Sequence, residues 1–216
     1  MKLLKKEFAL CMHPTAFIMP ALSALILTPG YPYGVSCFYM GMAIYFICLT
    51  ARENHDAAYT LTLPVSRADA VNARILLCVL LEVFQLLLMG IFILLKYAIG
   101  FMPNPAGLDA NLALIGEGFL LYAVFNMIFF PMYYRDINKP GRAFLWASAA
   151  MFAWIVIEII ATYAVPFVQW NLDTADPGHM REKALFTLGA CALFAAGTWQ
   201  AAVRSVKKFE ETDLAL

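Results

Sequence analysis

The sequence predicts an all-α polytopic membrane protein, and three observations carry that prediction. Hydrophobic residues make up 62% of the 216 while charged residues are held to 14%, a balance too apolar for a soluble globule. The apolar residues are gathered into long runs separated by short polar ones. Lysines and arginines concentrate at alternate ends of those runs, as they do in chains with a fixed orientation across a bilayer.

Taken in order, residues 1–13 place Leu3, Leu4, Phe8, Cys11 and Met12 on one helical face and Lys2, Lys5 and Lys6 on another. That pattern predicts an interfacial amphipathic helix in the headgroup region. A cleaved signal peptide fits less well, because His13, Pro14 and Pro20 interrupt the apolar region and no clean cleavage site follows. Apolar runs at 15–28, 34–50, 75–99, 111–132, 144–168 and 183–203 then give six candidate spans. The first is short against the ~20 residues a spanning helix needs. It must recruit part of the preceding helix or sit beside thinned lipid. Pro29, Gly30, Pro32 and Gly34 make a tight outer turn after it.

With the amino terminus inside, Lys2, Lys5, Lys6, Arg52, Arg67, Arg74, Arg135, Lys139, Arg142, Arg204, Lys207 and Lys208 are all cytoplasmic, and only Lys96, Arg181 and Lys183 lie near the outer side. Both termini, the tail 204–216 and the polar loops 52–74 and 133–142 are then cytoplasmic, in one transmembrane domain covering 1–216. Loops 100–110 and 170–182 face out, with Tyr163 and Trp170 as interfacial anchors.

The longest polar run between two apolar ones is 52–74. Glu53 to Tyr59 can form about two helical turns before Pro64, which lacks an amide hydrogen and ends the helix. Ser66 with Asp69 three residues later reads as a capping box, opening a helix that runs unbroken into the third span. Composition alone is equally consistent with a solvated loop. The stretch ENHDAAYTLTLPVSRADAVNAR, however, resembles the cytoplasmic segment of ABC-type-2 transporter membrane subunits. There an acidic-Asn start, an aromatic, a Leu-Pro-x-Ser-Arg core and a Val-rich helix recur in that order. PMYYRDINKPGR, residues 131–142, resembles the second cytoplasmic loop of the same family. Two departures stand out: Arg74, where relatives more often carry Lys, and Asp136 to Asn138, less glycine-rich and aromatic than the pattern.

The resemblance implies a six-helix permease with a coupling helix between spans 2 and 3, in segment 52–66. The permease would work as a homo- or heterodimer with two copies of a separately encoded ABC ATPase, which would bind ATP and Mg; this chain itself needs no cofactor. Glu53, Asn54, Asp56, Tyr59, Leu63, Pro64, Ser66 and Arg67 are the coupling candidates, with Asp56, Tyr59 and Arg67 as the expected ATPase contacts. The subgroup most resembled exports amphipathic peptides such as phenol-soluble modulins, which implies an amphipathic or antimicrobial-type peptide as cargo and a place in the cell membrane.

Glu82, Glu117 and Glu158 fall inside apolar spans, where an ionised side chain costs about 2.5 kcal/mol or more near the bilayer centre. They should avoid lipid, as hydrogen-bonded carboxyls, as the lining of a translocation path or as a proton relay. Glu158 sits nearest the middle of its run. The small residues Gly189, Ala190, Ala192, Ala195, Ala196, Gly197, Ala201 and Ala202 permit close helix approach in the last span. Five cysteines at no metal-like spacing and three scattered histidines point to neither a disulfide framework nor a metal centre. Zero formal net charge offers no argument for nucleic acid, and no phosphate loop or nucleophile elbow is present. The competing functions are an integral-membrane enzyme using the three glutamates and an immunity or binding protein that transports nothing.

Overall fold

In the computed structural model, which describes residues 2–100, 102–174 and 177–211, every regular element is helical. Five helices are long and apolar enough to cross a membrane: α3 (Val35–Glu53), α5 (Arg67–Ile99), α6 (Leu112–Arg135), α7 (Pro140–Ala164) and α8 (Met180–Glu210). A sixth crossing is counted only if the bent pair 3–11 and 15–27 is one span. Three short helices complete the set, α1 (Lys2–Cys11), α2 (Thr15–Ile18) and α4 (Asp56–Leu61).

The first candidate span departs from expectation. Residues 15–27 form α2 and then a 3₁₀ helix, Met19–Leu27, with Pro20 at its start. The tighter coil rises more per residue, so thirteen residues reach about 24 Å. A bend of 101° separates this piece from α1, which therefore does not lengthen it. Lys96 of α5 donates to the Ile26 carbonyl at 3.1 Å, placing a cation at the carboxyl end of the 3₁₀ helix where its free carbonyls collect.

α5 begins as its sequence requires. The Ser66 hydroxyl accepts from the Asp69 amide at 3.0 Å and Asp69 Oδ2 accepts from the Ser66 amide at 3.3 Å, and the helix then runs for 33 residues, about 50 Å. One face buries Val71, Cys78, Glu82, Gln85, Met89 and Ile93, while Leu76, Leu80, Phe84, Leu87, Ile91 and Leu94 are exposed. An outward face made of leucine and phenylalanine is what lipid, not water, selects. α7 and α8 carry similar outward faces, including Leu145, Ile157 and Trp146 on one and Leu188, Leu193 and Trp199 on the other.

α6 is the centre of the bundle and packs most extensively on α8. The buried line on α8 is Lys183, Ala190, Phe194, Gly197, Thr198, Ala201, Ser205 and Phe209. Only part of the small-residue stretch is thus used for close approach. Ala190, Gly197 and Ala201 face inward, while Gly189, Ala192, Ala195 and Ala196 face out. α8 also runs on to Glu210, so 204–210 of the expected tail is helical and 212–216 lies outside the described residues. The expected loop 133–142 is shorter than its polarity suggests. Pro131 is accommodated inside α6, the helix continues to Arg135, and α7 restarts at Pro140.

At the end opposite α4 the connections are stitched together. Asn104 accepts from the Gly30 amide at 3.1 Å and donates to the Tyr31 carbonyl at 3.1 Å. Asn111 caps α6 by accepting from Ala113 at 2.8 Å and donates to Leu172 at 2.7 Å. Tyr163 donates to Pro105 at 2.6 Å. Tyr163 and Trp170 rings are exposed there.

The α6–α8 contact generates a prediction. A Cβ on Gly116 would lie 2.9 Å from the Phe186 ring and 3.0 Å from the Thr187 Cα. Backbone cannot step aside, so Gly116→Ala should cost about 1–3 kcal/mol, read as a lower melting temperature in detergent. Gly189→Ala meets nothing within 4 Å and should leave stability level or slightly raised. Equal melting temperatures for the two variants would refute this account of the interface.

Candidate functional site

α4 is the shortest helix joining two spans, and the way it is held defines the site. α3 ends at Glu53, later than the polar run suggests, because His55 takes the left-handed region at φ 51°. Histidine is among the residues that tolerate it. The break starts a new helix at Asp56 whose two buried residues, Asp56 and Thr60, lie one turn apart and are both polar. Lys6 of α1 donates to Asp56 Oδ1 at 2.8 Å and to Thr60 Oγ1 at 2.7 Å. Arg74 of α5 donates to Asp56 Oδ2 at 2.6 Å, to Cys11 Sγ at 3.2 Å and, through Nε, to Glu7. Lys6 and Glu7 are themselves paired at 2.6 Å.

Two cations and two carboxylates are therefore neutralised out of water, with side-chain exposures of 5% for Arg74, 2% for Glu7 and 6% for Asp56. Removing one member of such a set costs about 3–5 kcal/mol, because the charge left behind is buried without compensation. Glu7, Cys11 and Asp56 bring ligand atoms within 4.8 Å of one another, a spacing that could hold a metal ion. The Arg74 guanidinium bonds to all three, so the cation at their centre is the protein's own.

The coupling candidates do not share one exposed face. Glu53, Asn54, Tyr59, Pro64 and Ser66 are exposed and Leu63 is half-buried. Asp56 is turned inward into the charged cluster. Asn54 donates to the Leu10 carbonyl at 3.1 Å, fastening α3 to α1. Arg67 donates to the Phe209 carbonyl at 2.7 Å and lies over the Phe209 ring at 5.6 Å, fastening the start of α5 to the end of α8. Beside α4 opens a cleft of about 390 Å³ whose walls include His55, Ala58, Tyr134, Arg135, Ile137 and Phe209. Arg52 spans its rim to the Asn138 carbonyl at 3.2 Å.

Glu82 and Glu117 are buried and Glu158 is half-buried; each is hydrogen-bonded to different partners, with Glu117 and Glu158 near enough for their charges to interact. Glu82 accepts from Asn126 at 3.0 Å, and Asn126 also donates to Thr198 at 3.1 Å. Glu117 accepts from the Trp154 indole at 2.6 Å. Glu158 accepts from the Leu108 amide at 2.8 Å. It lies six residues before the end of α7, about 9 Å, and belongs to the end opposite α4 instead of mid-span. The helix begins and ends four residues earlier than its apolar run, which moves the carboxylate outward. Sequence reasoning weighed only charge in the spans and so missed Gln85, which donates to the Ser36 carbonyl at 2.8 Å and accepts from Tyr122. The signal was there: an amide one turn from Glu82, and Asn126 in the facing span.

With this geometry in view, the comparison with known families decides the class. The family described as ABC-2 family transporter protein matches residues 2–207. The chain belongs to that family. It is thus a membrane protein of an ABC transporter, and neither a curated protein nor a solved structure matches it. In this ABC-2 protein, the end bearing α4, the α6–α7 turn and the carboxyl end of α8 holds nearly all the arginines and lysines. The opposite end keeps Lys96 and Lys183 buried against carbonyls of Ile26 and Thr174.

The opposite end also carries the carboxylates whose protonation is perturbed in the loops. Asp173 accepts from the Asp109 amide at 2.6 Å. Burial pushes its carboxyl up to about 7; the Asp109 amide and Lys183 act the other way, and the negative charges of Asp109 and Glu158 add to the rise. Burial likewise raises Asp109, against the Asn104 amide, Lys96 and Lys183. A carboxyl raised in the folded state stabilises it fully below the ordinary value of about 4, and that stabilisation is lost as pH rises through about 7. The melting temperature in detergent should therefore climb as pH is lowered from about 8 to about 5, and Asp173→Asn should remove much of that slope. An identical pH profile for the variant would show that Asp173 is not the group responsible.

Proposed function

We propose that this chain is the permease subunit of an ATP-driven exporter in the cell membrane, docking a separately encoded ATPase on α4. The observation that carries the reading is α4 itself. It is a six-residue helix whose fully buried residues, Asp56 and Thr60, are both polar, with Tyr59, 51% exposed, on the other side. An aromatic on the free side of a short helix is the kind of anchor that fills a pocket in a partner. The exposed Glu53, Asn54, Pro64 and Ser66 complete the docking face, and Arg67 and Asp56 act behind it by fixing where α4 sits.

The α4 end is cytoplasmic in this reading, since the basic residues gather there. Two permease copies work with two ATPases, and ATP with Mg is handled by the latter. The cargo is an amphipathic or antimicrobial-type peptide, in keeping with the subgroup of the family that the sequence most resembles. An enzyme built on Glu82, Glu117 and Glu158 is disfavoured, because each carboxyl is bonded to a different partner. A binding or immunity protein without transport predicts no ATPase in the purified complex.

Two measurements test the proposal. Tyr59→Ala should weaken co-purification of the ATPase roughly tenfold while the subunit inserts normally; full retention of the partner would remove α4 from the docking face. In a Cys191→Ala background, which eliminates the one exposed cysteine, an impermeant maleimide should reach a cysteine at Pro103 from outside intact cells. One at Asn138 should react only after the membrane is opened, and labelling of Asn138→Cys in intact cells would invert the orientation.

A further inference from the structure

α4 buries no apolar side chain. Its inward residues, Asp56 and Thr60, are bonded to Lys6 of α1 and Arg74 of α5, and the backbone route from α4 to α5 runs through Thr62–Ser66, where only Leu63 and Val65 are even half-buried. A push on α4 can pass back through Asn54 and His55 into α3, and it has two ways into α5, an exposed five-residue turn or the charged cluster. The cluster is the stiffer, because its ion pairs are directional, out of water and shared among three helices. Arg74 sits two turns into α5, about 12 Å past the cap at Ser66, so it grips the long helix well inside its start. Resting on the reading that an ATPase docks on α4, we infer that Arg74 is the positioning residue that transmits α4 movement to α5. Glu7 makes α1 part of the same moving unit.

The guanidinium suits this task. It presents Nε to Glu7 and Nη2 to Asp56 and Cys11, three bonds from one planar group, and an ammonium cannot reproduce that fork. A displaced Asp56 thus carries the whole plane with it, and with the plane go Glu7 and the α5 backbone. α5 then runs to Ile99, where Lys96 is bonded to the Ile26 carbonyl of the 3₁₀ helix and to the Tyr33 hydroxyl in the turn beyond it. Motion entering at Arg74 leaves at the opposite end of the bundle.

The test uses the intact complex of permease and ATPase in proteoliposomes, with Cys191→Ala and a reporter cysteine either at Thr62, beside α4, or at Met102, just beyond α5; both positions are exposed. The reading is the maleimide labelling rate with and without ATP plus vanadate. In the parent, nucleotide should change the rate several-fold at both positions. In Arg74→Met the change should persist at Thr62→Cys and vanish at Met102→Cys, with Arg74→Lys intermediate. If Arg74→Met does not insert, Asp56→Asn carries the same expectation, with co-purification scored on each variant so that docking and transmission are separated. A nucleotide response at Met102→Cys that survives Arg74→Met and Asp56→Asn overturns the inference and leaves the docking reading intact, as does a parent in which Met102→Cys never responds. Failure of the parent to retain any ATPase defeats the docking reading first.

Discussion

Arg74 is the constraint on which the α4 end of the molecule depends. Its guanidinium is buried with Glu7 and Asp56, and Lys6 balances the second negative charge. None of these groups is tolerable alone in so dry a place, so each requires the other three. That mutual requirement fixes α1, α4 and α5 relative to one another, and every other contact at this end builds on it. Asn54 can reach Leu10 only because α1 is already placed. Arg67 meets the end of α8 only because the start of α5 is.

The same logic organises the bundle interior in a milder form. In a bilayer the outward leucines of α5, α7 and α8 gain nothing by choosing one helix neighbour over another, since lipid is as apolar as a side chain. Register has to come from shape and from polar groups. Gly116 gives the shape, letting the α6 backbone approach Thr187. Glu82 with Asn126 and Thr198, and Gln85 with Tyr122 and Ser36, give the polar groups. A carboxyl or amide that finds its partner in only one rotation of the helix specifies that rotation.

What the sequence disclosed follows from which forces are local. The Ser66–Asp69 box is complete within four residues, so the start of α5 was readable to the residue; the later spans were readable as apolar runs, with ends one to seven residues away from those of α6, α7 and α8. The first span was not: 19–27 winds as a 3₁₀ helix whose carboxyl end is bonded to Lys96, seventy residues away. Nor was the inward turn of Asp56, whose partners lie in α1 and α5. Glu7, the acid among the lysines of α1, has no local pattern that marks it, since its partner Arg74 lies 67 residues away. Arg74 registered only as a departure from lysine. That departure has a physical meaning once the fold is known, since three partners at three directions need a fork and not a point charge.

The two ends of the molecule differ in what their ties can do. At the α4 end the charged cluster joins side chains of separate helices to one another, while Asn54, Arg67 and Arg52 tie to the carbonyls of Leu10, Phe209 and Asn138. At the other end carboxylates and amides bind backbone: Asp109 to Asn104, Asp173 to Asp109, Glu158 to Leu108, Asn104 to Gly30 and Tyr31. Backbone ties pin a loop to a surface at fixed points. Side-chain ion pairs fix separate helices relative to one another. α5 and α8 each run between the two ends, α5 from its Arg74 pairs to the Lys96 tie and α8 from the Lys183 tie to Phe209.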